Sequence, residues 1–115
     1  MGPGEAVWRF TLTVPLEEIR PQKRQRATAA DLDNLQQMLA EHFGGFTRLP
    51  NSPGFGLRDP NDPYQAPEMN YNAYFVVLTS PVPEADAYFR ALREELEAAL
   101  DKGVILVERQ EAWIP

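Results

Sequence analysis

The chain of 115 residues contains no cysteine. That absence excludes disulfides, thiolate nucleophiles and cysteine-ligated zinc or iron–sulfur centres. Folding without disulfides suits a reducing compartment, so a cytoplasmic location is expected. Histidine is almost missing as well, with His42 the single copy. A metal site built from several histidines is therefore ruled out, and neither a metal nor a cofactor is expected. Serine occurs only at Ser52 and Ser80, each beside a proline. No Ser-His-Asp triad can be read from so few parts. No apolar run is long enough to span a bilayer, and Met1 to Ala6 show no signal pattern of a charged segment followed by an apolar one, so no membrane association is expected.

Basic residues are in deficit, with 11 Lys and Arg against 17 Asp and Glu and a net charge of −6. Non-specific binding to nucleic acid depends on neutralising phosphates with Lys and Arg, so nucleic acid is not an expected partner. The basic residues do cluster once, at Arg20, Lys23, Arg24 and Arg26. No aromatic residue or glycine nest accompanies them, so they read as a solvated loop rather than a phosphate site.

Hydrophobic residues make up 43% of the chain and charged residues 24%. That is a globular balance, and the length fits one domain over residues 1–115. Proline is the excess, at 11 residues, about twice the ~5% of average usage. Val7 to Val14 alternate, with Trp8, Phe10, Leu12 and Val14 on one side and Arg9, Thr11 and Thr13 on the other. This period of two predicts a strand with one buried face, ended by Pro15.

Thr28 reads as an N-cap, with Asp31 three residues on in the position of a capping box. Leu32, Leu35, Leu39 and Phe43 follow at helical spacing, and Gly44 and Gly45 stop the helix. Phe46 to Leu49 predict a short second strand. Residues 50–70 hold five prolines and two glycines. They read as a long irregular loop, with a few paired residues around Phe55 to Arg58. Phe55, Leu57, Tyr64 and Met69 argue that this loop is ordered, and loops of such length tend to be functional.

Tyr71 to Thr79 is the strongest strand and is apolar on both faces: Tyr74, Val76 and Leu78 on one, Tyr71, Ala73, Phe75 and Val77 on the other. Both faces are therefore expected to be covered. Pro83 opens a second helix, with Glu84 and Asp86 at its positive end. Phe89, Leu92, Leu96 and Leu100 form its core stripe, with Tyr88 beside it. Asp86–Arg90, Arg90–Glu94 and Arg93–Glu97 are spaced to pair along its outer face. Gly103 is the expected cap, and Val104 to Val107 begin a last strand reaching toward Ile114.

The order strand, helix, strand, strand, helix, strand predicts an α+β fold of ferredoxin-like βαββαβ type. It is a four-stranded antiparallel sheet, spatial order 4-1-3-2, with two helices on one face. Such a sheet leaves its other face open, so a homodimer through the sheet face or edge is expected.

Chemistry-bearing residues are few. His42 lies in the last turn of the first helix, where its ring can meet free carbonyls; the plain reading is structural, and the alternative is a general acid or base. Around the 50–70 loop stand Arg58, Asp59, Asp62, Tyr64, Glu68, Asn70 and Tyr71. Folded over the sheet, they could converge on a small ligand, with Arg58 as anion anchor, Tyr64 as stacking wall and Glu68 as acid or base. With His42 these give the candidate ligand-binding set His42, Arg58, Tyr64, Glu68, Asn70 and Tyr71. The plainer reading is loop decoration, with Asn and Asp capping turns. Gly54 and Gly56 make no dinucleotide fingerprint, because no third glycine and no helix follow.

The run Phe43-Gly44-Gly45-Phe46-Thr47, the turn Pro53-Gly54-Phe55-Gly56 and the run Glu68-Met69-Asn70-Tyr71 together resemble small, uncharacterised bacterial α+β proteins. In those proteins a helix ends in Phe-Gly-Gly-x-Thr, a glycine-rich turn follows, and a Glu-x-Asn sequence leads into a central strand. The resemblance covers about residues 41–79 and implies a ferredoxin-like fold with no established activity.

No catalytic constellation is complete. The leading expectation is a non-catalytic module that binds a protein partner or a small ligand. The alternative is a small cofactor-free enzyme of the dimeric α+β barrel type, isomerase-like or monooxygenase-like, in which one or two polar residues suffice.

Overall fold

The computed structural model describes residues 4–16, 28–56, 63–64, 68–99 and 105–115, with the backbone alone described at 53–56 and 68–70. The elements run β1 (Ala6–Pro15), α1 (Ala29–Phe43), β2 (Thr47–Gly56), β3 (Glu68–Thr79), α2 (Pro83–Ala99) and β4 (Leu106–Trp113). The architecture is α+β, with one four-stranded antiparallel sheet in the order β2-β3-β1-β4.

Register follows the alternation seen in β1. Phe10 faces Val77, Leu12 faces Phe75 and Val14 faces Ala73. Residues directly opposite in an antiparallel pair share a sheet face. These six therefore form one surface, and all are buried. Leu32, Leu35 and Leu39 of α1 and Ala85, Phe89 and Leu92 of α2 join them, with Ile105, in a single core cluster. Leu96 packs against this cluster only partly buried, so α2 turns its deepest contact toward Phe89 and Leu92. Leu100 and Gly103 lie outside the described residues.

Both ends of α1 follow from short-range chemistry. The Thr28 hydroxyl accepts from the Asp31 N–H, and the Asp31 carboxylate accepts from the Thr28 N–H at 2.9 Å, completing the capping box. At the other end Gly44 sits at φ 81 in the left-handed region and donates its N–H to the Ala40 carbonyl at 2.9 Å. Of the two adjacent glycines, Gly44 alone takes this conformation. The α2-to-β4 connection is tied by Glu97, whose Oε1 accepts the Ile105 N–H at 2.9 Å.

The segment expected to be irregular is the main correction. β2 continues past Leu49 to Gly56 and pairs with β3 along its length, through Ser52↔Asn72, Gly54↔Asn70 and Gly56↔Glu68. Prolines punctuate loops more often than strands, but these fall on a sheet edge. β2 is an edge strand, where a residue without an N–H loses only a bond that no neighbour would have made. A register shift between Leu49 and Ser52 absorbs Pro50 and Asn51 as an irregularity in the ladder. The irregular stretch is thereby cut from both ends. Residues 57–62 and 65–67 lie outside the described residues.

The pairs on α2 also differ from expectation. Arg93 and Glu97 approach at 3.8 Å as their spacing predicts. Asp86 pairs not with Arg90 but with Arg109 of β4, at 2.6 Å. No Asp86–Arg90 or Arg90–Glu94 ion pair forms among the described residues.

Candidate functional site

With one face of β1 and β3 buried under the helices, the other phase of the strands looks mostly outward, with Val7 (3% exposed) and Val76 buried on it. The pairing registers set these side chains in rows across the sheet. One row runs Leu49–Tyr74–Thr13–Leu106 across all four strands. The next runs Thr47–Val76–Thr11–Glu108, and a third runs Leu78–Arg9–Gln110. No helix covers this face among the described residues, since the buried residues of both helices belong to the opposite one. Leu49 is 37% exposed, Leu78 47% and Leu106 50%. Val76, at 9%, is buried between its flanking strands.

The expectation that both faces of β3 are covered is met only in part: on the second face Val76 is buried and Tyr74 half-buried, while Leu78 is exposed. Tyr74, Val76 and Leu78 belong to the open face, and Ala73, Phe75 and Val77 to the core. Leu49 adjoins Tyr74, Leu78 follows Val76 on the same face, and Leu106 stands across Thr13 from Tyr74. Arg9 and Glu108 stand on the same face in adjacent rows.

The helix side carries an aromatic array. Phe10 stacks on Phe89 at 4.2 Å, Phe89 on Phe43 at 5.3 Å, and His42 on Tyr88 at 3.9 Å between ring centroids. This array ties the end of α1 to the first half of α2. Tyr88 has its phenol pKa raised above 10.0, first by burial and then by the nearby Glu95 carboxylate. On β4, Arg109 lies 4.2 Å over the ring of Trp8 while it holds Asp86. It also lines a groove of about 320 Å³ between α2 and β4, with Arg90, Arg93 and Asp86 above an apolar floor of Phe10, Phe89 and Val107.

The residues singled out from the sequence fall in different places. His42 sits exposed on the last turn of α1, with its ring engaged by Tyr88. Tyr71 is on β3, opposite Pro53 and 43% exposed. Phe43, next to His42, packs through Phe89 onto Phe10, which faces Val77. Val77 is six residues from Tyr71 along β3, about 20 Å at the ~3.3 Å rise of a strand. His42 and Tyr71 thus belong to opposite ends of the sheet. Glu68 and Asn70 begin β3, opposite Gly56 and Gly54, in the phase opposite to Tyr71. Tyr64 lies in a turn and is 95% exposed, and Arg58 lies outside the described residues. No group of three metal-ligating side chains occurs among the described residues.

Arg109 is the residue that sequence reasoning missed. Its signal was present: Arg109 falls in the same strand phase as Val107 and Ile105, which places a cation on the helix-facing side of β4 beside an acidic helix start. No protein-family model, curated protein or solved structure matches the chain.

Proposed function

We propose that this chain is a ferredoxin-like βαββαβ domain that serves as a non-catalytic interaction module and works as a homodimer. The carrying observation is the uncovered sheet face, with Leu49, Leu78 and Leu106 exposed around Tyr74 and Val76. Burying a leucine side chain is worth about 1.5–3 kcal/mol relative to leaving it in water. Three of them on one face, spread over β2, β3 and β4 around a central strand apolar on both sides, favour a bound state of the domain over a solitary one. The ferredoxin-like reading is supported by the element order together with two central strands drawn one from each βαβ half. The residues His42, Arg58, Tyr64, Glu68, Asn70 and Tyr71 are kept as candidates for contacts with a small ligand or protein partner. The cytoplasm is the proposed setting, since the fold needs no disulfide. Sedimentation equilibrium tests the homodimer: a concentration-dependent dimer at tens of micromolar (order of magnitude for a modest affinity) supports it, and a monomer at every concentration overturns it.

A further inference from the structure

The sheet has two free edges of opposite character. The β2 edge is interrupted by Pro50 and Pro53 and by the register shift after Leu49, features that keep an edge from pairing. The β4 edge, Leu106 to Trp113, has no proline and keeps an unbroken register with β1. Its other side meets no strand among the described residues. Two large apolar residues near its ends, Leu106 and Trp113, are 50% and 66% exposed.

We propose that two copies of this chain join β4 to β4, antiparallel, with Gln110 facing the partner copy's Gln110 on the two-fold axis. The inference rests on the homodimer reading above but places the contact at the β4 edge rather than on the open face, so the apolar rows stay free for a further partner. A two-fold axis normal to the sheet sets some residue opposite its own copy, so the possible registers are few. Centring on Glu108, Arg109 or Glu111 sets like charges face to face, which destabilises an antiparallel pair. Centring on Ala112 sets Glu111 against Trp113. Centring on Gln110 sets Arg109 opposite Glu111 twice, Val107 opposite Trp113 twice and Leu106 opposite Ile114 twice. Only this register is neutral at the axis, complementary in charge beside it and apolar toward both ends.

The backbone agrees. Ile114 donates its N–H to the Glu5 carbonyl on the β1 side. Alternate residues of a strand point their polar groups to opposite sides. Gln110, in the same phase as Ile114, therefore turns inward, while Val107, Arg109, Glu111 and Trp113 offer N–H and C=O groups outward. Those are the residues that the register pairs by hydrogen bonds. The facing Gln110 residues form a non-hydrogen-bonded pair, with Cα atoms about 4.5 Å apart. The result is one continuous sheet with the helices of both copies on one side and the apolar rows of both on the other.

A chain without cysteine makes the test clean. Gln110→Cys replaces an exposed side chain, and a Cα separation of about 4.5 Å is within disulfide range. Under mild oxidation Gln110→Cys is expected to convert to a covalent dimer, while Leu78→Cys, on the open face near the end of β3, stays largely uncoupled. Glu111→Arg, which sets Arg against the partner's Arg109 at two symmetric places, is expected to weaken the dimer about tenfold. A dimer that cross-links through Leu78→Cys and not through Gln110→Cys overturns the β4 pairing and leaves the homodimer standing. A parent that sediments as a monomer overturns both.

Discussion

Arg109 on β4 donates from Nη1 to the Asp86 Oδ2 of α2 at 2.6 Å, joining residues far apart in sequence. The same guanidinium lies over Trp8 of β1, so one side chain links both layers at this end of the domain. Both partners are partly exposed, which limits the ion pair to about 0–1 kcal/mol. Arg109→Ala also loses the cation–π contact and is expected to cost about 1–2 kcal/mol in denaturant unfolding. Asp86→Ala is expected to cost less. A double-mutant cycle should give a coupling that shrinks at high salt; a coupling indifferent to salt would show that packing, not charge, joins the pair.

Tyr88 gives a pH signature. Its pKa in the folded chain is raised by burial and by Glu95, so the unfolded chain ionises first as pH climbs. The stability due to the neutral phenol is whole below pH 10.0 and is lost as pH rises through the higher folded value. Tyr88→Phe cannot ionise and keeps the ring beside His42 and Phe43. Its stability is expected to fall less steeply than that of the parent above pH 10.0. Parallel curves for the two proteins in alkaline urea titrations would refute the shift.

The elements with strong local signals were legible: the alternation of β1, the capping box of α1 and the leucine spacing of both helices. Local chemistry decides such features, so sequence alone carries them. The extent of β2 was not legible, because proline reads as a loop until the strand is known to lie at an edge. The face of β3 was ambiguous for the same kind of reason. Both of its phases are apolar, and only pairing with β1 says which one meets the helices. Arg109 was hidden because its partners come from α2 and β1. The ligand-binding set presupposes a loop folded over the sheet, and β3 separates two of its members, with His42 at one end and Tyr71 toward the other.

Helix rotation is tested by two leucines. Leu39 of α1 is fully buried, while Leu96 of α2 is half-buried at the margin of the core. Leu39→Ala leaves a cavity and is expected to cost about 2–5 kcal/mol. Leu96→Ala is expected to cost less, about 1–2 kcal/mol, because solvent and neighbours can fill the space. The reverse ranking in guanidinium unfolding would mean that α2 is turned so that Leu96 points to the sheet.

The two faces of β3 are tested by one kind of change made three residues apart. Phe75 is 1% exposed between the sheet and the helices, with Phe46 against its ring. Phe75→Glu places a carboxylate in that apolar layer, with the exposed Arg48 guanidinium 5.5 Å from the ring it replaces. An uncompensated buried charge costs several kcal/mol, a large share of the about 5–15 kcal/mol that holds a domain folded. Phe75→Glu is therefore expected to lose its cooperative thermal transition. Leu78→Glu is a different event. Leu78 is 47% exposed on the open face and stands directly opposite Arg9. A glutamate there gains an opposite charge across the strand pair, worth about 0.2–1 kcal/mol, which offsets the lower strand preference of Glu. Leu78→Glu is expected to unfold within about 1 kcal/mol of the parent, with unchanged circular dichroism, while any partner that docks on the apolar rows loses affinity. Unfolding of Leu78→Glu at room temperature would show that the face taken as open is packed against part of the chain.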